Sequence, residues 1–127
     1  MNIVDSSGWI EYLAGSSNGV LFAKPIQQID QLVVPSITIV EIFKFILQRR
    51  TEQEALEAVA HMSEGLIIDL DSRLAIKAAN VGYEFKLSLA DSIIYATALH
   101  HHALLWTQDE DFKNMPGVRY IPKTPHK

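Results

Sequence analysis

Asp5, Glu41, Asp91 and Asp109 are four carboxylates that stand where apolar runs stop or helices begin. They are far apart in sequence. An α/β fold would still gather them, because ligands in such folds bind outside the carboxyl ends of the strands. Three or four carboxylates, with no cysteine and no obligatory histidine, suit Mg2+ or Mn2+ better than Zn2+. Ions of this kind ionise a water and stabilise the attacking and leaving oxygens at a phosphorus centre. The chemistry these residues suit is therefore metal-assisted attack on a phosphate.

Each acid also has a plainer role. Asp5 can cap a helix by accepting from free backbone amides. Thr38-Ile39-Val40-Glu41 matches a capping box, in which Glu41 reaches back to the cap amide. Its neighbours Ile37, Ile39, Val40, Ile42, Phe43, Ile46 and Leu47 are apolar on almost every side. A carboxylate there is costly unless paired or bound to a cation, which tilts Glu41 toward a ligand. Ser88-Leu89-Ala90-Asp91 fits a looser capping box. In Thr107-Gln108-Asp109-Glu110-Asp111-Phe112, Asp109 and Asp111 compete for one place, and Thr107 offers a hydroxyl.

The elements that would position these residues alternate along the chain. Ile3-Val4 reads as a buried strand, Ser6-Ser7-Gly8 as a turn, and about Trp9 to Leu13 as a helix. A loop follows at Gly15-Ser16-Ser17-Asn18-Gly19, then a helical pattern over 20–30 that contains Pro25. Leu32-Val33-Val34 is a second strand, closed by Pro35. Ser36 or Thr38 opens a helix to about Arg50, and 52–62 forms another. Leu66-Ile67-Ile68 is a third strand. Asp71 caps a helix over 72–85, and Ser88 starts one to about His102. Leu104-Leu105-Trp106 and Val118 to Ile121 complete the strands. Continuously apolar strands mean a sheet covered on both faces. The expected fold is three-layer α/β/α, with a mainly parallel sheet of four to five strands in one domain, 1–127. The polar tail, 122–127, is expected to be loose.

Composition narrows the class. The chain has 127 residues, 48% of them hydrophobic, and no cysteine. Disorder and a disulfide framework are excluded, and a reducing cytoplasm fits. No signal peptide or membrane span is expected. The net charge of −4 argues weakly against nonspecific nucleic-acid binding. The excess of acids over bases, however, equals the four acids singled out here. Two divalent ions would offset them, so a phosphate-bearing substrate is compatible with the acidic sum.

Four stretches together resemble PIN-domain proteins of the VapC toxin type. They are Ile3-Val4-Asp5-Ser6-Ser7-Gly8-Trp9-Ile10-Glu11-Tyr12, then Pro35-Ser36 through Val40-Glu41-Ile42, then Leu89-Ala90-Asp91-Ser92-Ile93-Ile94-Tyr95-Ala96-Thr97-Ala98, then Leu104-Leu105-Trp106-Thr107-Gln108-Asp109-Glu110-Asp111-Phe112. Each is weak alone; four in order are specific. Asp5-Ser6 stands where Asp-Thr is more usual. The resemblance implies a Mg2+-dependent endoribonuclease, the toxin of a type II toxin–antitoxin pair. Asp5, Glu41 and Asp91 would hold the metal, helped by Asp109, with Ser6, Thr107 and Asp111 in support. Water would attack the RNA phosphate in line, leaving a 5′-phosphate and a 3′-hydroxyl. A small VapB-like antitoxin would inhibit the enzyme. A homodimer is implied, with DNA bound only through the antitoxin.

Rival readings are a housekeeping PIN-domain nuclease, a non-catalytic module, and a phosphoacceptor signalling domain using Asp69. The last lacks a second acid after Asp5 and a suitable lysine before Pro122. His100, His101 and His102 suit a helix end better than a metal. Arg49 and Arg50 are read the same way, and Lys44 as a partner for Glu41.

Overall fold

A computed structural model describes residues 1–124. Five strands form one sheet: β1 (Asn2–Val4), β2 (Leu32–Pro35), β3 (Leu66–Ile68), β4 (Leu104–Thr107) and β5 (Val118–Tyr120). Their order is β3-β2-β1-β4-β5, and every pairing is parallel. Parallel neighbours need long crossovers, and helices supply most of them. These are α1 (Ser6–Ala14), α2 (Ser17–Gln27), α3 (Ser36–Arg49), α4 (Glu52–Met62), α5 (Ser72–Phe85) and α6 (Leu89–His100). None of them is long and apolar enough to cross a membrane.

The continuous apolar strands serve two cores. Ile3, Val33 and Leu105 point to one face, where α5 and α6 bring Leu74, Ala78, Val81, Ile93 and Ile94. Val4, Val34 and Trp106 point to the other, against Trp9, Phe22, Ile26, Ile42 and Met62 of α1 to α4. Side chains alternate along each strand, so a sheet buried on both faces has no polar positions left. The result is the three-layer α/β/α arrangement that the sequence implies, with all strands parallel.

The strand order matters for function. From β1 the chain builds outward through β2 and β3, then returns to lay β4 on the other side of β1. The order reverses between β1 and β4. In parallel α/β sheets the crevice beyond the strand ends at such a reversal is where ligands bind. Asp5 follows β1 and Thr107 ends β4, with Val4 paired to Trp106 just before them.

Helix starts differ from the expected ones in an instructive way. No turn separates β1 from α1; the helix begins at Ser6 with Asp5 as its cap. Gly8 allows this, since a Cβ there would lie 2.6 Å from both Val4 Cγ1 and Phe22 Cδ1. Ser16 caps α2 at once, so the expected loop shrinks and Pro25 falls inside the helix. The chain end is tied down as far as it is described. Asn18 Nδ2 donates to Pro122 O at 3.0 Å, and Thr124 Oγ1 donates to Asn18 Oδ1 at 2.8 Å. The rest of the expected loose tail, 125–127, lies outside the described residues.

Candidate metal centre

Asp5 combines both roles weighed for it. As the cap of α1, its Oδ1 accepts from Gly8 N at 3.1 Å and from Ser7 Oγ at 2.6 Å. Its Oδ2 accepts from Thr107 Oγ1 at 2.6 Å. The side chain is thereby fixed, although it is only 2% exposed. Burial raises its pKa; the hydroxyls of Ser7 and Thr107 and the Gly8 amide oppose that, and the charge of Asp109 adds to it.

Glu41 is not in a capping box. Helix α3 starts at Ser36 with Pro35 as a cap that lacks a side-chain bond, so Glu41 lies in the second turn. Thr38, the expected cap, is fully buried inside the helix. Pro35 fixes an extended backbone before Ser36, and the helix starts there without a side-chain cap. Glu41 Oε1 is buried and has no hydrogen-bond partner among the described residues. An orphaned carboxylate oxygen of this kind is costly unless a cation takes it. Burial raises the Glu41 pKa, the Ser6 hydroxyl lowers it, and the charges of Asp5 and Asp109 raise it further. Lys44, the expected partner, is not among the charges that act on it.

Asp91 sits in the first turn of α6, where its amide donates to Ser88 Oγ at 3.4 Å. Its pKa rises from 3.8 to about 7, first by burial and then by the Asp109 charge, with Ser88 opposing and smaller contributions from Asp5 and Glu41. Asp109 is thus the common neighbour. Its charge acts on Asp5, Glu41 and Asp91 alike. Carboxylate oxygens of Asp91, Asp109 and Asp111 lie within 4.8 Å of one another. Asp111 is exposed and is not among the charges that act on the other acids. It stands at the rim, and its amide donates to Asp109 Oδ1 at 2.9 Å.

The charges of all four acids thus act on one another beyond the ends of β1 and β4, with Asp91, Asp109 and Asp111 at ligand spacing and Asp5 and Glu41 outside that closest group. Among the described residues no cation is one of the charges acting on Asp5, Glu41 or Asp91. The donor set is oxygen only, several carboxylates are pushed toward the protonated form, and one oxygen is unpartnered. That set fits a hard divalent cation.

Two supporting residues were not visible as such in the sequence. Ser7, not Ser6, donates to Asp5. A helix that starts at Ser6 puts Ser7 and Gly8 at the positions a cap carboxylate reaches. Ser6 faces Glu41 instead. The second is Gln108, whose amide N donates to Ser7 Oγ at 3.4 Å. Thr107 acts as a hinge pin between acids: besides its bond to Asp5, it accepts from Asp109 N at 2.9 Å. Thr107→Val keeps the shape and loses both bonds. It should weaken Mn2+ binding by about tenfold, read by calorimetric titration. Elsewhere, Arg49 satisfies its own helix, donating to Phe45 O at 3.1 Å.

Comparison with known proteins adds the following. The PIN domain family profile matches residues 3–118. No curated protein matches the chain. A toxin–antitoxin complex from Klebsiella pneumoniae contains a chain 29% identical, with a TM-score of 0.76 over 94% of this chain and 96% of that one. A VapC toxin of Mycobacterium tuberculosis, described as cleaving the sarcin–ricin loop, is 15% identical, with a TM-score of 0.74 over 98% of this chain and all of that one. A DNA-bound VapBC from Salmonella typhimurium is 17% identical, with a TM-score of 0.74 over 96% of this chain and 98% of that one. At such identities the latter two speak for the fold alone.

Proposed function

The chain belongs to the PIN domain family, and from that membership we propose that it is a Mg2+-dependent endoribonuclease, the toxin of a type II toxin–antitoxin pair. The observation that carries this reading is the convergence of Asp5, Glu41, Asp91 and Asp109 at the switch point of the sheet, with Glu41 Oε1 buried and unpartnered. Asp5, Glu41, Asp91 and Asp109 hold Mg2+, or Mn2+ in its place, and Asp111 assists from the rim. The ion supplies water activation and charge stabilisation at the scissile phosphate.

The chain's own residues do the rest. Asp5 is oriented by Ser7, Gly8 and Thr107, so one carboxylate is pre-set before any ion arrives. Asp91 would have to be ionised to serve as a ligand, so its raised pKa would couple metal binding to release of a proton. Burial raises the Glu41 pKa and the Ser6 hydroxyl opposes that shift, which favours the ionised form a ligand needs. Cleavage leaves a 5′-phosphate and a 3′-hydroxyl. The whole chain, 1–127, acts as one domain in the cytoplasm, as a homodimer. A VapB-like antitoxin inhibits it and carries any binding to DNA. The toxin–antitoxin setting of the Klebsiella pneumoniae relative supports that partner.

The direct test is purified protein with total RNA and Mg2+, followed by mapping of the new ends. Metal-dependent cleavage with 5′-phosphate ends, stopped by chelation, is expected. Absence of cleavage with Mg2+ and with Mn2+ across the bulk cellular RNAs would overturn the ribonuclease reading.

A further inference from the structure

The loop that delivers Asp109 is held by a buried amide as well as by the Asp109 carboxylate, which accepts from Asp111 N. Gln108 lies between Thr107 and Asp109 and is only 5% exposed. Its side chain bonds to α1 and α2 rather than to any of the four acids. Gln108 Oε1 accepts from Asn18 Nδ2 at 3.0 Å, and Gln108 Nε2 donates to Glu11 Oε1 at 3.2 Å. Both partners are themselves secured. Asn18 is 8% exposed and binds Pro122 O and Thr124 Oγ1. Ser16 Oγ donates to Glu11 Oε2. Meanwhile the Gln108 amide N reaches Ser7 Oγ, the same hydroxyl that donates to Asp5.

From these contacts we infer that Gln108, clamped between Asn18 and Glu11, is the positioning residue that sets Asp109 against Asp5 for metal binding. The inference rests on the proposed metal centre. A glutamine fits because it must accept on one side and donate on the other. Asn18 offers only N–H to it, and Glu11 offers only a carboxylate. Buried polar contacts of this kind are costly to leave unmade, so the clamp permits one loop conformation. That conformation puts the Asp109 amide on Thr107 Oγ1 and its charge beside the other three acids. The β4 end is thus braced to α1 and α2, the helices on the Asp5 side of the crevice. Partners that orient a ligand in this way typically change metal affinity by 10–100-fold when lost.

A charge exchange tests the clamp. Gln108→Glu keeps the size, and it sets two carboxylates face to face at the Glu11 contact. The protein should fold, and its Mn2+ affinity, measured by calorimetry and by electron paramagnetic resonance without RNA, should drop about tenfold or more. Combining it with Glu11→Gln restores every bond with the roles reversed. The new amide at the first site donates across the contact and still accepts from Ser16; the new carboxylate accepts from that amide and from Asn18. Mn2+ affinity should return to within about threefold of the parent. A purely structural defect would lower thermal stability without this recovery of metal affinity. Mn2+ binding by the single variant within twofold of the parent overturns the inference, and so does a double variant as weak as the single one. Should the single variant not fold, Asn18→Ala replaces it; there a loss of about threefold is expected, and unchanged binding overturns the inference. Metal affinities that follow this pattern in a protein that cleaves no RNA would uphold the clamp and reject the ribonuclease reading alone.

Discussion

Asp5→Asn folds and loses Mg2+-dependent RNA cleavage by on the order of a thousandfold, the rate equivalent of about 4 kcal/mol of lost metal-borne stabilisation. The fold survives because an asparagine keeps one acceptor. It can still take the Gly8 amide and the Ser7 hydroxyl at the start of α1. The Thr107 hydroxyl, which now donates to Oδ2, can rotate to accept from the new amide group. The folding cost is about one hydrogen bond, roughly 1 kcal/mol. Function is lost because the most fixed of the four carboxylates no longer carries charge. Circular dichroism and thermal melting check the first half of the prediction, and a cleavage assay with purified RNA checks the second. Cleavage at the parental rate by a folded Asp5→Asn protein would sink the mechanism.

The second prediction concerns pH and comes from Asp91. Its pKa stands at about 7 in the fold against an ordinary 3.8. Between these values the native protein holds a proton that the unfolded chain has released. Stability therefore falls as pH rises through this window; the favourable contribution is complete below about 4 and gone above about 7. Asp5 and Glu41 are shifted in the same direction and add to the slope. Metal-free protein should thus melt at a lower temperature at pH 8 than at pH 5.5. Mg2+ binds the ionised acids, so it should raise the melting temperature most at pH 8. Asp91→Asn removes one charge from the cluster. Without metal at pH 8 it should be more stable than the parent, while responding little to Mg2+. The prediction is falsified if metal-free parent protein is the more stable at pH 8, or if Asp91→Asn keeps the full Mg2+ response. Greater stability with poorer metal binding is the expected trade at a site built from mutual repulsion.

Much of this arrangement was legible in the chain. Short apolar runs such as Ile3-Val4 and Leu66-Ile67-Ile68 announce a doubly covered sheet, and five strands with intervening helices leave few other architectures. The acids stood out as a set at the ends of strands and the starts of helices, although each alone also had a plainer role as a cap or loop residue. What stayed hidden depended on tertiary contact. Thr38 and Glu41 have the spacing of a capping box, yet Pro35 starts the helix earlier and buries Thr38 against the core. Ser6 was expected in a supporting role, but with a helix beginning directly after the strand it is Ser7 that donates to Asp5. Gln108 meets Asn18 across 90 positions of sequence, a contact that no local pattern encodes. Asp109 and Asp111 both stand at metal-ligand spacing from Asp91, and they differ in depth. The charge of Asp109 reaches all three other acids, while Asp111 faces solvent.

The return of β4 to the side of β1 also sets the timing of activity during synthesis. A growing chain carries Asp5 and Glu41 early and can build β1, β2 and β3 with their helices. It has no centre until β4 is made and pairs with β1, because Thr107 and Asp109 arrive only then. Until that moment the open edge of β1 leaves Asp5 without its Thr107 bond and the other acids without their common neighbour. A nascent chain therefore carries only part of the acidic cluster until β4 has been made and has paired with β1.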